Sequence, residues 1–181
     1  MESIKHNIKV YKVISFKPGE LEELTTASRD AINAGMGFGW NNPPSEEKLK
    51  AYWKGVLLVP NRWLFVGKFD DVIAGSVQVV RANSSNEAAF FRVSIDAHFV
   101  ATWARGHGLA RSLLEEAEKE SINNGITHII LDVRNEQKSA IKLYEQMKYI
   151  KWGDMPIYHK LGSGKIVSGS YYFKELMKEI I

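Results

Sequence analysis

The stretch ARGHGLARSLLEEAEKE, residues 104–120, places two glycines and two arginines directly before a run whose leucines and alanines recur at helical spacing. Gly106 and Gly108 allow a tight turn, and a helix that follows it leaves its first amides without internal partners. Those amides, the helix dipole and the charges of Arg105 and Arg111 would favour a bound phosphate. The alternative is that the glycines only mark the entry into a helix.

The residues around this stretch exclude two familiar nucleotide-binding loops. A dinucleotide fingerprint needs a third glycine where this chain has Arg111, and the elements before it do not form a βαβ pattern. The segment GSGK at 162–165 is followed by Ile166 and has no glycine at position 159, so it does not match a Walker loop. We predict a hairpin turn there.

The hydrophobic periodicity predicts alternating strands and helices along the whole chain. An apolar run, THIILDV at 127–133, indicates a strand covered on both faces and paired in parallel. Strands are predicted at 7–16, 62–82 (two strands joined at Asp70-Asp71), 86–100, 127–133, 150–152 and 170–173, and helices at 20–35, 45–54, 108–123 and 139–149. The pattern favours an α/β (α+β) fold in a single domain over residues 1–181.

Composition limits the classes of function. With 181 residues, 45% of them hydrophobic, the chain has enough apolar material for one core. No apolar stretch approaches the roughly 20 residues of a membrane span, and the start MESIKHNIKV lacks the apolar segment of a secretory signal, so we expect a cytoplasmic protein. Lys and Arg are interleaved with Asp and Glu despite a pI near 9.0, which predicts no nucleic-acid partner.

The chain has no cysteine. This excludes disulfides, thiolate metal sites and a cysteine nucleophile, and we predict no metal site.

Two segments, the first of which contains the opening stretch, carry a family resemblance. The segments FVATWARGHGLARSLLEEAEKE and THIILDVRNEQKSAIKLYEQMKYIKWG resemble the core of the GNAT N-acetyltransferase superfamily, and the chain as a whole looks most like its tabtoxin-resistance type. The first family signature, R/Q-x-x-G-x-G/A, is present at 105–110; the second is present as Asn135 and Tyr144. The family often has proline where this chain has Thr102, and Gly-Phe where it has Lys148-Tyr149.

The resemblance implies a central mixed, mostly antiparallel sheet with helices on both faces and a splayed parallel strand pair that binds acetyl-CoA. The pyrophosphate would lie on the amides of 105–110, the pantetheine between the strands ending at Val100 and Val133, and a backbone donor near Phe99 or Val100 would stabilise the thioester oxygen. The cofactor-binding residues implied are Phe99, Val100, Arg105, Gly106, His107, Gly108, Leu109, Ala110, Asn135 and Ser139.

Without a cysteine, direct attack by an amine on the thioester in a ternary complex is the natural hypothesis. An alkyl ammonium has a pKa near 10.4, so a base or a water relay must help near pH 7. Where family members often carry a glutamate base, this chain has Ser94, which we assign to the substrate site. Asp96, two residues along on the same strand face, is the first candidate base and Asp132 the second; the alternative is that Asp96 is structural. His98 is predicted to pack rather than to catalyse.

Tyr144 fits the position of the family's general acid, although Ala140, Leu143, Tyr144 and Met147 would equally make an inward stripe with Tyr144 as a core residue. The segment GMGFGWNNPP at 35–44 lies where the superfamily lines its acceptor pocket. Its Phe38 and Trp40 would contact the substrate or, alternatively, anchor the loop in the core.

The sequence therefore predicts an acetyl-CoA-dependent N-acetyltransferase that acts on a small amine. A non-catalytic acyl-CoA-binding sensor or interaction domain is one alternative, supported by the absent glutamate at 94, and a protein or peptide acetyltransferase is another. A homodimer through the C-terminal strands is left open.

Overall fold

The computed structural model describes residues 6–36 and 38–176, and within them the chain forms seven strands and four α-helices. The start of the chain, on which the expectation of no secretory signal rests, lies partly outside the described residues, as does Gly37 of the glycine-rich segment. The elements are β1 (Ile8–Val13), α1 (Glu20–Asn33), α2 (Glu46–Leu58), β2 (Arg62–Phe69), β3 (Val72–Arg81), β4 (Arg92–Val100), α3 (Leu109–Asn123), β5 (His128–Arg134), α4 (Lys138–Gln146), β6 (Ile150–Lys160) and β7 (Ile166–Glu175).

The strands form one mixed sheet in the order β1-β2-β3-β4-β5-β7-β6. β1 pairs antiparallel with β2, and β7 pairs antiparallel with both β5 and β6. β4 and β5 are parallel, with a register that joins residues 92–94 to residues 128–130. This confirms the predicted α/β fold with a mixed, mostly antiparallel sheet and one parallel strand pair.

Several boundaries differ from the predicted ones. α2 continues to Leu58 because Val56 follows Trp53 on the buried face of the helix. β4 begins only at Arg92, since residues 87–89 form a 3-10 turn. β6 and β7 are longer than predicted, and the hairpin predicted at 162–165 joins them, with the amide of Gly164 donating to the carbonyl of Leu161. No helix in the described part of the chain is long and apolar enough to cross a bilayer.

The chain divides into two compact units, the first of which comprises residues up to Val79 together with residues 97–117. Its core joins α1, α2 and the strands through apolar side chains that water does not reach, among them Leu24, Trp53, Val66 and Ile73. The indole nitrogen of Trp53 donates to the Ser28 hydroxyl at 3.0 Å. This hydrogen bond offsets the cost of removing both polar groups from water.

The second unit comprises residues 80–96 and the chain from Glu118 onward. β5 and the β6–β7 hairpin supply its sheet, and Ile129, Tyr144 and Tyr172 are among its buried side chains. A largely buried ion pair joins Lys174 of β7 to Glu118 of α3 at 2.6 Å. β3 and β4 contribute residues to both units.

Candidate active site

The loop between β4 and α3 is held at its base by side chains of the first unit. Asp30 accepts hydrogen bonds from the amide and the hydroxyl of Thr102, at 2.5 and 2.8 Å. The Nε atom of Arg105 donates to the carbonyl of Val100 at 3.1 Å. These bonds fix the loop against the end of β4 and against α1. Thr102 thus supplies an anchor at a position where the family often has proline.

The glycines of this loop have the conformation and the surroundings of an anion cradle. Gly106 and Gly108 have φ values of +83° and +89°, the left-handed region that favours glycine, and no heavy atom lies within 4 Å of a Cβ built at either position. α3 begins at Leu109, so its first amides have no partner inside the helix. The open space and the helix N-terminus fit a pyrophosphate, as the sequence predicts.

The backbone near the end of β4 is irregular at Ala97. Ala97 has φ +44°, which is uncommon for a residue with a Cβ, and its carbonyl accepts a hydrogen bond from the Ser76 hydroxyl. Opposite, a Cβ on Gly75 would come within 2.4 Å of the Phe99 carbonyl oxygen, so β3 and β4 approach closely here. Strained backbone of this kind gathers at functional sites, where the surrounding structure holds it in place.

Phe38 and Trp40 belong to an aromatic cluster in the first unit. The Phe38 ring lies 5.1 Å from Phe99 and 6.0 Å from Trp53, and Trp40 lies 5.2 Å from Tyr52. Both Phe38 and Trp40 remain partly exposed. Phe38 therefore contacts Phe99, a predicted cofactor-binding residue. The rings of Phe38 and Trp40 anchor the segment 38–44 in the core and also leave an accessible aromatic surface.

Tyr144 lies on α4 with only 5% of its surface exposed. Its ring is 5.9 Å from that of Tyr149 and 6.3 Å from that of Tyr172. Burial raises its pKa well above the ordinary value, and the charge of Asp132 raises it further. A phenol held in its protonated form can give a proton to a leaving group, so this environment is compatible with the predicted general acid.

Asp132, the second candidate base, accepts a hydrogen bond from the hydroxyl of Tyr158. Tyr158 was not singled out from the sequence. Its ring packs over Gly169, where a Cβ would lie 2.4 Å from the ring. Tyr158 lies in the part of β6 where the β6–β7 ladder shifts its register, between Met155 and His159. No pattern in the sequence predicts this shift.

Asn135 is tied to β7 by both ends of its side-chain amide. Its Nδ2 donates to the Ser168 hydroxyl at 2.8 Å, and its Oδ1 lies 2.5 Å from the Ser170 hydroxyl, which also lies 2.7 Å from Asp154. Asn135 also forms a side-chain hydrogen bond with Asp154, so one lone pair of its amide oxygen remains for a ligand. The predicted pantetheine-binding Asn135 is therefore fixed in orientation, and Ser139 is exposed on the first turn of α4.

The polar face of β4 is divided between the two units. Ser94 is partly buried and Asp96 exposed, both in the second unit. His98, in the first unit, has its Nε2 atom 3.0 Å from the carbonyl of Ala110, so this nitrogen carries the proton. Burial lowers the pKa of His98 to about 4 and keeps the ring neutral near pH 7. This geometry agrees with the packing role predicted for His98.

The sequence profile described as the Acetyltransferase (GNAT) family matches residues 24–149. The chain belongs to this family. It is an acyltransferase that depends on acetyl-CoA. A protein of Azospirillum brasilense, described as an uncharacterized N-acetyltransferase in the hisH-hisA intergenic region, is 46% identical to this GNAT acetyltransferase over 132 residues, which cover 73% of this chain and 79% of that protein.

Solved structures share the fold of this GNAT acetyltransferase. A GNAT superfamily phosphinothricin acetyltransferase from Sinorhizobium meliloti, solved in complex with acetyl-CoA, superposes with a TM-score of 0.74 at 18% identity, covering 93% of this chain and 88% of that one. The ribosomal-protein-alanine N-acetyltransferase from Brucella melitensis gives a TM-score of 0.77 at 15% identity, covering 93% and 99%. The first of these proteins is named for a small-molecule acceptor and the second for a protein acceptor.

Proposed function

We propose that this GNAT acetyltransferase moves the acetyl group of acetyl-CoA directly to a primary amine of a small molecule in a ternary complex. The observation that carries direct transfer is the complete absence of cysteine, because no enzyme thiol is available to hold the acetyl group between two half-reactions. The amine nitrogen forms a bond to the carbonyl carbon, the carbon–sulfur bond breaks, and the amine loses a proton while the CoA sulfur gains one.

The cofactor is bound by the residues that the family signature covers. The amides of residues 105–110 receive the pyrophosphate, an assignment supported by the open positive-φ glycines and by the start of α3. Phe99 and Val100 offer backbone groups to the thioester, supported by the irregular geometry at Ala97. Asn135 and Ser139 complete the set, with Asn135 held ready by Ser168 and Ser170.

Tyr144 is the general acid in this proposal. The family signature that includes Asn135 and Tyr144 supports the role. The raised pKa keeps the phenol protonated near pH 7 but makes it a weaker acid than an exposed tyrosine. Asp96 is the first candidate base and Asp132 the second. Asp96 lies on the strand face of Ser94, the position where family members often carry the glutamate base, and Asp132 accepts a hydrogen bond from Tyr158. Replacing each aspartate by asparagine tests the order: Asp96→Asn should lower kcat by at least about tenfold and remove the acidic limb of the pH profile.

The acceptor is a small molecule in this proposal, with Phe38, Trp40 and Ser94 in contact with it. The partly exposed rings of Phe38 and Trp40 support an aromatic surface for the acceptor. The family match includes residues of both compact units, which supports one catalytic domain. A homodimer through β6 belongs to the same proposal, since this edge strand exposes Trp152 and Ile157, 63% and 73% accessible.

A screen of amine acceptors tests the proposal. Free CoA released from acetyl-CoA is measured with a thiol reagent, and the enzyme adds no background because it has no cysteine. We expect at least one class of small amines to be acetylated in preference to peptides that carry a free N-terminus or lysine. Faster turnover of peptides would contradict the small acceptor, and binding of acetyl-CoA without turnover of any amine would identify an acyl-CoA sensor.

A further inference from the structure

A small cleft in the second unit contains two arginines. Its volume is about 140 Å³, and its polar lining residues are Arg81, Asn86, Arg92 and Ser94; apolar residues of β3, β4, β5 and the β3–β4 connection complete the lining. Neither arginine was singled out from the sequence, whereas Ser94 was assigned to the acceptor. The cleft therefore places Ser94, the predicted substrate residue, in one lining with Arg81 and Arg92.

The charged residues that line the cleft are both arginines. Among the residues that the structure describes, no aspartate or glutamate lines it. Arg92 is exposed and forms no ion pair with any residue in the described part of the chain, and Arg81 is partly buried at the end of β3. Two arginines that line one cleft favour an anion, and the planar fork of a guanidinium matches a carboxylate in particular.

The size of the cleft limits what can enter. A volume of about 140 Å³ corresponds to four or five water molecules at roughly 30 Å³ each. Pockets that hold drug-sized or nucleotide-sized ligands are typically about 300–1,000 Å³. A carboxylate with its neighbouring atoms fits this volume, but a nucleotide does not.

The cleft also lies at a defined point of the sheet. Ser94 and Ile130, both in its lining, form the last residue pair of the parallel β4–β5 register. Arg92 precedes Ser94 by two residues, so the two side chains share one face of β4. An anion bound by the arginines would therefore sit beside Ser94, where the parallel pairing ends.

We propose that Arg81 and Arg92 bind a carboxylate of the acceptor, so that the substrate class of this enzyme is amino acids and related amino carboxylates. This inference rests on the proposed function and narrows it. Arg81 and Arg92 are specificity-determining residues in this account: they hold the acceptor by its acid group and take no part in proton transfer.

Matched acceptors test the inference. The common free amino acids and their α-carboxamides are compared at saturating acetyl-CoA, with CoA release as the readout. Amidation removes the negative charge and leaves the amine in place. It also lowers the pKa of that amine, which by itself would favour reaction of the amide. We expect each accepted amino acid to have kcat/KM at least about tenfold above that of its amide, because a charge-assisted pair to guanidinium is lost.

Variants locate the effect. Arg92→Gln should raise KM for the amino acid about 10- to 100-fold with a smaller change in kcat, and should leave the KM of the amide within about twofold. Arg92→Lys keeps the positive charge but loses the planar guanidinium, so its KM for the amino acid should lie between those of the wild type and Arg92→Gln. Arg81→Gln should act in the same direction, with its fold checked by thermal unfolding. Arg29→Gln, an exposed arginine on α1, is the control and should change nothing.

The outcomes separate this inference from the proposed function. Equal turnover of acids and amides, or an Arg92→Gln enzyme with unchanged KM for the acid, would overturn the inference while acetyl transfer stands. Weaker acetyl-CoA binding in Arg92→Gln would assign the cleft to a phosphate of CoA and would also overturn it. If a folded wild type that binds acetyl-CoA releases no CoA with any amine, the proposed function itself fails.

Discussion

Burial fixes the protonation of two side chains near the candidate site. The pKa of Tyr144 is raised by burial and by the charge of Asp132, so the hydroxyl keeps its proton across the neutral range. The pKa of His98 is lowered to about 4 by burial, so the imidazole stays neutral there. A substitution that keeps the ring can test the role of the Tyr144 hydroxyl, and a pH titration can test the protonation of His98.

Replacing Tyr144 by phenylalanine removes the hydroxyl and keeps the buried ring. If Tyr144 gives its proton to the departing CoA sulfur, Tyr144→Phe should lower kcat by roughly 100-fold while the Kd for acetyl-CoA, measured by calorimetry, changes by less than about twofold. Tyr171→Phe is the matched control, since the one hydrogen bond of its hydroxyl in the described part of the chain goes to the sulfur of Met155. Unchanged turnover in Tyr144→Phe would remove the catalytic role.

His98 should make folding depend on pH in a known direction. Its pKa is about 4 in the folded protein against about 6.5 in an unfolded chain, so the unfolded state binds more protons between these values. The stabilising contribution of neutral His98 is complete above pH 6.5 and is lost as the pH falls toward 4. In His98→Gln, which keeps a donor for the carbonyl of Ala110, the free energy of unfolding should fall less steeply over this range. An NMR-measured pKa near 6.5 would contradict the account.

At the level of helices and strands, periodicity predicted which elements exist, and tertiary contacts set where several of them end. Leu49, Trp53 and Val56 share the buried face of α2, which extends the helix beyond its predicted end. The tight turn at Gly106 and Gly108 could be predicted from sequence, because it depends on local residue types. The contact of Tyr158 with Asp132 could not, since it depends on a register shift in the β6–β7 ladder. The cleft at Arg81 and Arg92 was missed because residues from three strands line it.

Two glycines offer a matched test of the β3–β4 packing. A Cβ on Gly75 would lie 2.4 Å from the Phe99 carbonyl oxygen, whereas a Cβ on Gly55 in α2 meets no heavy atom within 4 Å. Gly75→Ala should therefore lower the free energy of unfolding by about 2 kcal/mol or more, because the backbone must move. Gly55→Ala should raise it by about 0.5–1 kcal/mol through helix propensity. Chemical denaturation measures both. A stable Gly75→Ala protein would refute the close approach.

The edge of the sheet bears on the assembly of the whole molecule. β6 is the outermost strand of the sheet order, and its exposed hydrophobic side chains, Ile150, Trp152, Met155 and Ile157, are unusual for an edge strand left in water. A second copy of the chain would cover them. This exposed face supports the proposed homodimer, with the contact proposed on the C-terminal hairpin.

Sedimentation velocity tests this assembly. The wild type should sediment as a dimer at micromolar concentration, and the double variant Trp152→Glu, Ile157→Lys as a monomer, because charges on both sides of the contact would be desolvated. Ile14→Lys is the control, since Ile14 is 87% exposed and lies outside β6. A monomeric wild type would contradict the proposal and leave the exposed face of β6 for another partner.

The most direct test of the central claim is a calorimetric titration with acetyl-CoA. The wild type is compared with the variant Arg105→Glu, Gly108→Trp, which reverses a charge and fills the open space of the loop; thermal unfolding confirms that both are folded. The account predicts saturable binding of one acetyl-CoA per chain by the wild type and loss of that binding in the variant. A folded wild type that binds no acetyl-CoA, or a variant that binds it as well as the wild type, would contradict it.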